Sequence, residues 1–258
     1  DKRFAKLDGN GHGTHVAAII AGAMKLAQSA DDPREIDLQG MAPEARLYGF
    51  KVLKDSGSGE DAFIIKALDK VAEINEQAGR LVIHGLNLSL GGEGPLGFAF
   101  EAALQRAINA GVVFAIASGN EAGANPEWPG RYASDPRFAG GIIVTGAHDS
   151  ANQIADFSNR AGVSQTYFLS APGVQIYTDC EGTSCWVANG TSFASPARRW
   201  PSIMARARAC MRPTAPSIWT ASRAFRPMPW ATPIRCARPA RIAKSSRASP
   251  IGGITADI

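Results

Sequence analysis

Residues 197–258 contain no leucine, valine, glutamate, glutamine, asparagine, tyrosine or histidine. They hold instead eleven arginines, eight prolines, three tryptophans, one lysine and a single acid, Asp257. No apolar period runs through them, and Pro201 would interrupt any helix that began there. This composition excludes an amphipathic core helix. The chain as a whole lacks any apolar run near the ~18 residues that a membrane helix requires. It also lacks an opening methionine and an apolar signal core. It starts Asp1-Lys2-Arg3, which is expected of a fragment or a processed product. Cysteines number only four and fall into two pairs, of which Cys210 and Cys236 lie in the anomalous tail. No internal repeat is present.

What remains is ordinary for a globular protein, with 45% hydrophobic and 19% charged residues over 258 positions. That length allows one large core. The formal charge of +4 averages two unlike parts. Residues 1–196 carry 15 basic and 22 acidic side chains, so this part offers no basic face for nucleic acid. The division predicts a folded domain over 1–196 and an anomalous Arg/Pro-rich tail over 197–258.

Within the first part, helical and strand-like segments alternate. Gly13–Gln28 reads as a helix and Ala45–Leu53 as a strand. Ile64, Ala67, Leu68 and Val71 recur at helical spacing within Glu60–Gln77. Leu81–Leu90 is the next expected strand. Phe100, Ala103, Leu104, Ala107 and Ile108 line one face of a helix over Leu96–Ala110. Gly111–Ala117 and Ile142–Gly146 are short apolar runs of the kind buried in parallel sheets. The order predicts an α/β fold with a mostly parallel sheet covered by helices on both sides. Beyond Asp156 the turn-rich sequence predicts an antiparallel or irregular edge.

Three motifs carry chemistry. Gly11-His12-Gly13-Thr14-His15-Val16 sits where a loop enters a helix, and small residues leave the His12 imidazole approachable. A histidine near neutral pKa suits a general base. A zinc pair of His12 and His15 is an alternative, but the spacing is not that of a zinc helix motif and no third ligand is evident. A structural histidine is another. Ala117-Ser118-Gly119-Asn120-Glu121 follows an apolar strand, and an amide at the carboxyl end of a parallel strand faces the ligand crevice. Asn120 could donate to an oxyanion there, or serve only the turn. Gly190-Thr191-Ser192-Phe193-Ala194-Ser195-Pro196 places Ser192 where a turn feeds a helix. Free N–H groups at such a start can receive developing negative charge; the competing role is a helix N-cap. Cys180 and Cys185 flank the turn-forming Glu181-Gly182-Thr183-Ser184, as a local disulfide or as two thiols. A bridge would imply an oxidising compartment.

Taken together and in this order, the three motifs resemble those of the subtilase family of serine endopeptidases. Gly40-Met41-Ala42-Pro43, Asn87-Leu88-Ser89-Leu90-Gly91-Gly92, Asp156-Phe157-Ser158-Asn159 and Ala171-Pro172-Gly173 agree with it, and the resemblance covers roughly residues 7–196. It implies a three-layer α/β/α sandwich and hydrolysis of internal peptide bonds through an acyl-enzyme. His12 would be the base, Ser192 the nucleophile, and Asn120 with the Ser192 N–H the oxyanion hole. Ser89, Leu90 and Gly91 would pair with extended substrate, and Gly57 and Ser58 would flank its other side. The implied partners are polypeptide substrates and, in a full-length precursor, a propeptide; the implied location is secreted or cell envelope. No cofactor is required for this chemistry, no metal ligand is assigned, and calcium remains unassigned.

The sequence departs from the family in two places. The aspartate-bearing strand that precedes the histidine in the family is missing, and Asp8 falls in the loop next to His12 rather than at a strand end. The chain as given is therefore expected to be inactive or nearly so. A non-catalytic peptide-binding relative is the alternative. After Pro196 the family continues as a buried helix commonly opening His-Val-Ala-Gly, whereas this chain reads Ala197-Arg198-Arg199-Trp200. The codons GCA-CGT-CGC-TGG encode those four residues, and one base later they read CAC-GTC-GCT-GG, His-Val-Ala-Gly. A shifted reading frame accounts for the tail on this basis. A disordered basic tail for anionic partners, including nucleic acid, is the other reading.

Overall fold

The apolar runs between glycine-rich turns form the middle of a six-stranded parallel sheet. The computed structural model describes residues 8–25, 37–181, 184–193 and 252–257, with the backbone alone for 23–25, 37–38, 179–181, 184–186, 193 and 252–257. Residues 26–28 of the first expected helix, Ala194 to Pro196 of the serine motif, Cys210, Cys236 and most of the tail lie outside the described residues.

In chain order the elements are α1 (His12–Ala21), β1 (Ala23–Lys25), β2 (Asp37–Gln39), β3 (Arg46–Lys51), α2 (Asp61–Ala78), β4 (Gly85–Leu88) and α3 (Gly97–Asn109). They continue with β5 (Val113–Ala117), β6 (Ile142–His148), β7 (Phe168–Pro172), β8 (Ile176–Glu181), β9 (Ser184–Ala188) and β10 (Gly252–Asp257). The large sheet has the order β3-β10-β4-β5-β6-β7, parallel throughout. β1–β2 and β8–β9 form two separate antiparallel ribbons.

The helical periods place α2 and α3 as expected. Ile64, Ala67, Leu68 and Val71 of α2 pack with Phe100, Ala103, Leu104 and Ala107 of α3. Leu86, Leu88, Phe114, Ile116, Ile142 and Val144, alternate residues of β4, β5 and β6, join them in one core. Outside that core, Arg106 of α3 bridges Asp69 and Glu76 of α2 at 3.0 and 2.7 Å. Behind β5 and β6, Tyr132 stacks on Phe100 and meets Trp128 and Phe138 edge-on, with centroids 4.6–5.6 Å apart. This cluster ties α3 to the segment carrying Trp128.

Three boundaries differ from expectation. α1 ends at Ala21, because the backbone of Gly40 docks against Ala21 and Gly22, with Gly40 N–H donating to the Gly22 carbonyl at 2.6 Å. A Cβ on Gly40 would collide with that backbone. The strand expected from Leu81 begins only at Gly85. Asn75, 4% exposed on α2, takes up the preceding backbone: its Oδ1 accepts from Val82 and Ile83 N–H at 2.9 and 2.8 Å, and its Nδ2 donates to the Ile83 carbonyl at 2.8 Å. The edge beyond Asp156 is not antiparallel, since β7 runs parallel to β6; the antiparallel pairing falls instead in the separate β8–β9 ribbon.

A further difference lies at the centre. β3 and β4 do not pair with each other, and facing strand edges with unpaired backbone groups would be costly inside a sheet. Gly252–Asp257, a stretch of the tail without arginine or proline, lies between them as β10. Its register sets Ala256 opposite Leu88 on one side and Asp257 opposite Lys51 on the other.

Candidate active site

The carboxyl ends of β3, β4 and β5 open into a cleft of about 410 Å³. Position and chemistry both follow from the sheet: parallel strands deliver their following loops to one edge. Gly57 and Ser58 enter from the loop after β3, Ser89, Leu90 and Gly91 from that after β4, and Asn120 from that after β5; Ser192 stands in the single 3₁₀ turn Thr191–Phe193. These seven residues expected from the sequence all line the one cleft. His12 is not among the lining residues. It begins α1, which packs against the turn bearing Ser192. A second depression, about 460 Å³ between α2 and α3 around Arg106, contains no nucleophile.

Several hydrogen bonds fix the serine turn. Ser89 Oγ, on a residue only 2% exposed, donates to the Ser192 carbonyl at 2.9 Å and accepts from Asn87 Nδ2 at 2.8 Å. Ser192 Oγ faces the Ser89 carbonyl at 3.4 Å, a long contact that leaves the hydroxyl weakly held. Thr191, also 2% exposed, accepts from Gly119 N–H through Oγ1 at 3.2 Å. Thr191 N–H donates to Asn120 Oδ1 at 2.9 Å. A backbone N–H can only donate, so the Asn120 atom facing it is the oxygen. The NH₂ end is then the group that Asn120 offers the cleft.

Asn159 holds the Asn120 loop from behind. The sequence placed it in a matching stretch without a role. It is 2% exposed; its Oδ1 accepts from Glu121 and Gly123 N–H at 3.1 and 2.7 Å, and its Nδ2 donates to the Ser118 carbonyl and Glu121 Oε2, both at 3.0 Å. Gly119, at φ +101°, makes the turn between Ser118 and Asn120, and a Cβ there would strike the Asn159 amide. Asn75 belongs to no motif, and Asn159 and Thr191 fall in motif stretches that assign them no role, so only their burial beside open backbone groups reveals what they do. Glu121, quoted in the Asn120 motif without a role, and Glu127, which lies in none, also line the cleft.

Asp8 serves the helix that carries His12. Its carboxylate accepts from Gly11 N–H and Thr14 N–H, each at 2.8 Å, and from Thr14 Oγ1 at 2.6 Å. It thereby satisfies open donors at the start of α1 and sets a negative charge at the positive end of the helix dipole. Burial alone would raise the Asp8 pKa, but these hydrogen bonds outweigh it and hold the carboxyl below its ordinary value. His12 is held below the ordinary imidazole value, first by burial and second by His15, against the opposing pull of Asp8. The neutral ring that can accept a proton is thus favoured near pH 7. His15 Nδ1 lies 3.0 Å from Thr178 Oγ1 on β8. Among the described residues no group of three or more His, Cys, Asp and Glu could hold a metal ion, and no helix is long and apolar enough to cross a membrane. The β8–β9 backbone sets Cys180 opposite Cys185.

The serine turn and the neighbouring side-chain amide meet in a cleft at the carboxyl ends of parallel strands, where α/β proteins bind ligands. Residues 1–221 match the subtilase family profile. Subtilisin Savinase of Lederbergia lenta is 37% identical over 190 residues, covering 73% of this chain and 60% of the relative. Subtilisin E of Bacillus subtilis strain 168 is 34% identical over 194 residues, 73% of this chain and 44% of the relative. Among solved structures, a cold-adapted subtilisin-like serine proteinase is 31% identical with a TM-score of 0.55, covering 74% of this chain and 60% of that one. The prenylagaramide maturation protease PagA is 27% identical with a TM-score of 0.57, covering 77% and 65%. The chain belongs to the subtilase family and has its α/β/α fold. It spans 60% or less of the length of these curated relatives.

Proposed function

We propose that the cleft is the site of a serine endopeptidase, and that the 258-residue chain on its own turns over slowly or not at all. The observation that carries the first part is the pairing of Ser192 with an Asn120 whose oxygen is already committed to Thr191 N–H. Ser192 Oγ attacks the peptide carbonyl carbon and passes its proton to His12; the carbonyl oxygen, now negative, takes hydrogen bonds from Asn120 and the Ser192 N–H. The C–N bond breaks as His12 returns that proton to the leaving amine. Water then attacks the ester, again through His12, and frees Ser192. The substrate lies extended between Ser89–Gly91 and Gly57–Ser58 as an added strand. The location is outside the cytoplasm or in the envelope, where Cys180 and Cys185 would be joined.

The second part rests on the missing aspartate strand, whose carboxylate would orient His12 and stabilise its charged form. Casein hydrolysis and the rate of Ser192 modification by a peptidyl phosphonate test it. Rapid, stoichiometric modification would overturn the proposed inactivity.

The composition of 197–258 favours a translated frameshift, and the coding DNA decides. An early stop in the offset frame after codon 196 would remove that explanation.

A further inference from the structure

The part of the cleft next to Ser192 has glycine walls and a floor of two acids. Glu127 is fixed there by its backbone: its N–H donates to the Ser118 carbonyl at 2.9 Å, and Trp128 and Gly92 exchange hydrogen bonds at 2.9 and 3.1 Å. The aromatic packing of Trp128 on Tyr132 anchors the same segment. The Glu127 side chain lies against Gly91 on one wall and Gly119 on the other; a Cβ on either glycine would collide with it. Glu121 is the acid beside it, and Glu93 is the next. Burial first, and then the Glu121 and Glu93 charges, push the Glu127 carboxyl above the ordinary range. Arg131 opposes this least of the named groups, its Nε being engaged with the Pro126 carbonyl.

Ser192, Asn120, Glu121 and Glu127 line one cavity. A carbonyl carbon presented to Ser192 carries its own side chain one bond away. With its oxygen at Asn120, that side chain has the space between Ser89–Gly92 and Gly119–Glu121 to enter. Two crowded carboxyls at its end are poorly compensated by protein cations, and an incoming ammonium or guanidinium would relieve them.

Resting on the endopeptidase reading of this cleft, we propose that it selects polypeptides with lysine or arginine immediately before the scissile bond, held by Glu127 with support from Glu121. Glu127 and Glu121 act on selection and not on bond cleavage. Binding therefore tests the proposal without requiring turnover.

Fluorescein-labelled octapeptides identical except for lysine, arginine or norleucine at that position would be titrated with the 258-residue chain. Norleucine has nearly the shape of lysine without its charge. The cationic peptides should bind roughly 10–100-fold more tightly, the range for a hydrogen-bonded charge. Glu127→Gln should remove most of that preference, with its circular dichroism spectrum and urea unfolding curve showing that the variant is folded; Glu121→Gln should remove less. The preference should also shrink with added salt in the unaltered protein. Equal binding of lysine and norleucine peptides, or a preference that survives the double substitution, would overturn the proposal. Binding of norleucine peptides with no cationic preference would leave the cleft reading standing and sink only the selectivity. Failure of every peptide to bind would remove the cleft reading and the selectivity with it.

Discussion

Replacing Asn159 by alanine isolates what holds the Asn120 loop in place. The amide makes four hydrogen bonds, and they are not equal. Gly123 N–H, at 2.7 Å and on a half-buried residue, loses its acceptor in a site that water reaches only partly. Glu121 is exposed, so water can replace the bond to its N–H at 3.1 Å more readily. The Ser118 carbonyl keeps the Glu127 N–H as a partner, and Glu121 Oε2 turns outward. One unsatisfied buried donor costs about 1–3 kcal/mol and a replaceable bond about 1 kcal/mol, so Asn159→Ala should lose about 2–4 kcal/mol. Urea unfolding, compared at unchanged m value, measures this loss. Hydrogen exchange at Gly119–Gly123 should accelerate more than in the α2–α3 core, since the damage is local. A loss under about 0.5 kcal/mol with unchanged exchange would refute the reasoning, because it would mean the amide holds nothing that water does not.

Other consequences follow from the same geometry. In a chain that carries the aspartate strand, Asn120→Leu should lower turnover roughly 10²–10³-fold with little effect on binding; this figure is transferred from the corresponding donor in subtilisin, a relative. Asp8→Ala should cost about 0.5–2 kcal/mol, read by thermal unfolding, as loss of a helix-start cap does. Because the folded Asp8 pKa lies below 3.8, its contribution is present above about pH 4 and lost as pH falls through the lower folded value. Asp8→Ala should therefore flatten the acid limb of stability. Deleting residues 252–258 should lower stability and expose the edges of β3 and β4, seen as dye binding and self-association; an unchanged unfolding curve would show that β10 contributes nothing.

The sheet and its two core helices were legible because their signals are local. Apolar runs of strand length and a 3.6-residue period need no knowledge of neighbours, and β5, β6, α2 and α3 emerged nearly at their observed bounds. Where distant backbone intervenes, sequence reading stops short. The Ala/Ile-rich run of α1 continues toward Leu26 in composition, yet Gly40 ends the helix at Ala21. Leu81–Ile83 has strand composition, but Asn75 claims its backbone first. Candidate chemistry was legible in the same local way, through three motifs whose residues or carrier helix come together around one serine turn. The acidic character of the cleft was not. Glu127 has no motif, and its meaning lies in backbone bonds to Ser118 and in the two glycines it lies against.

Mapping the adduct formed by a peptidyl phosphonate on a chain extended upstream to include the aspartate strand tests the central claim most directly. A single adduct on Ser192, formed rapidly and lost in His12→Ala, is the expected result. An adduct on another residue, or one that forms equally fast without the His12 imidazole, would contradict it.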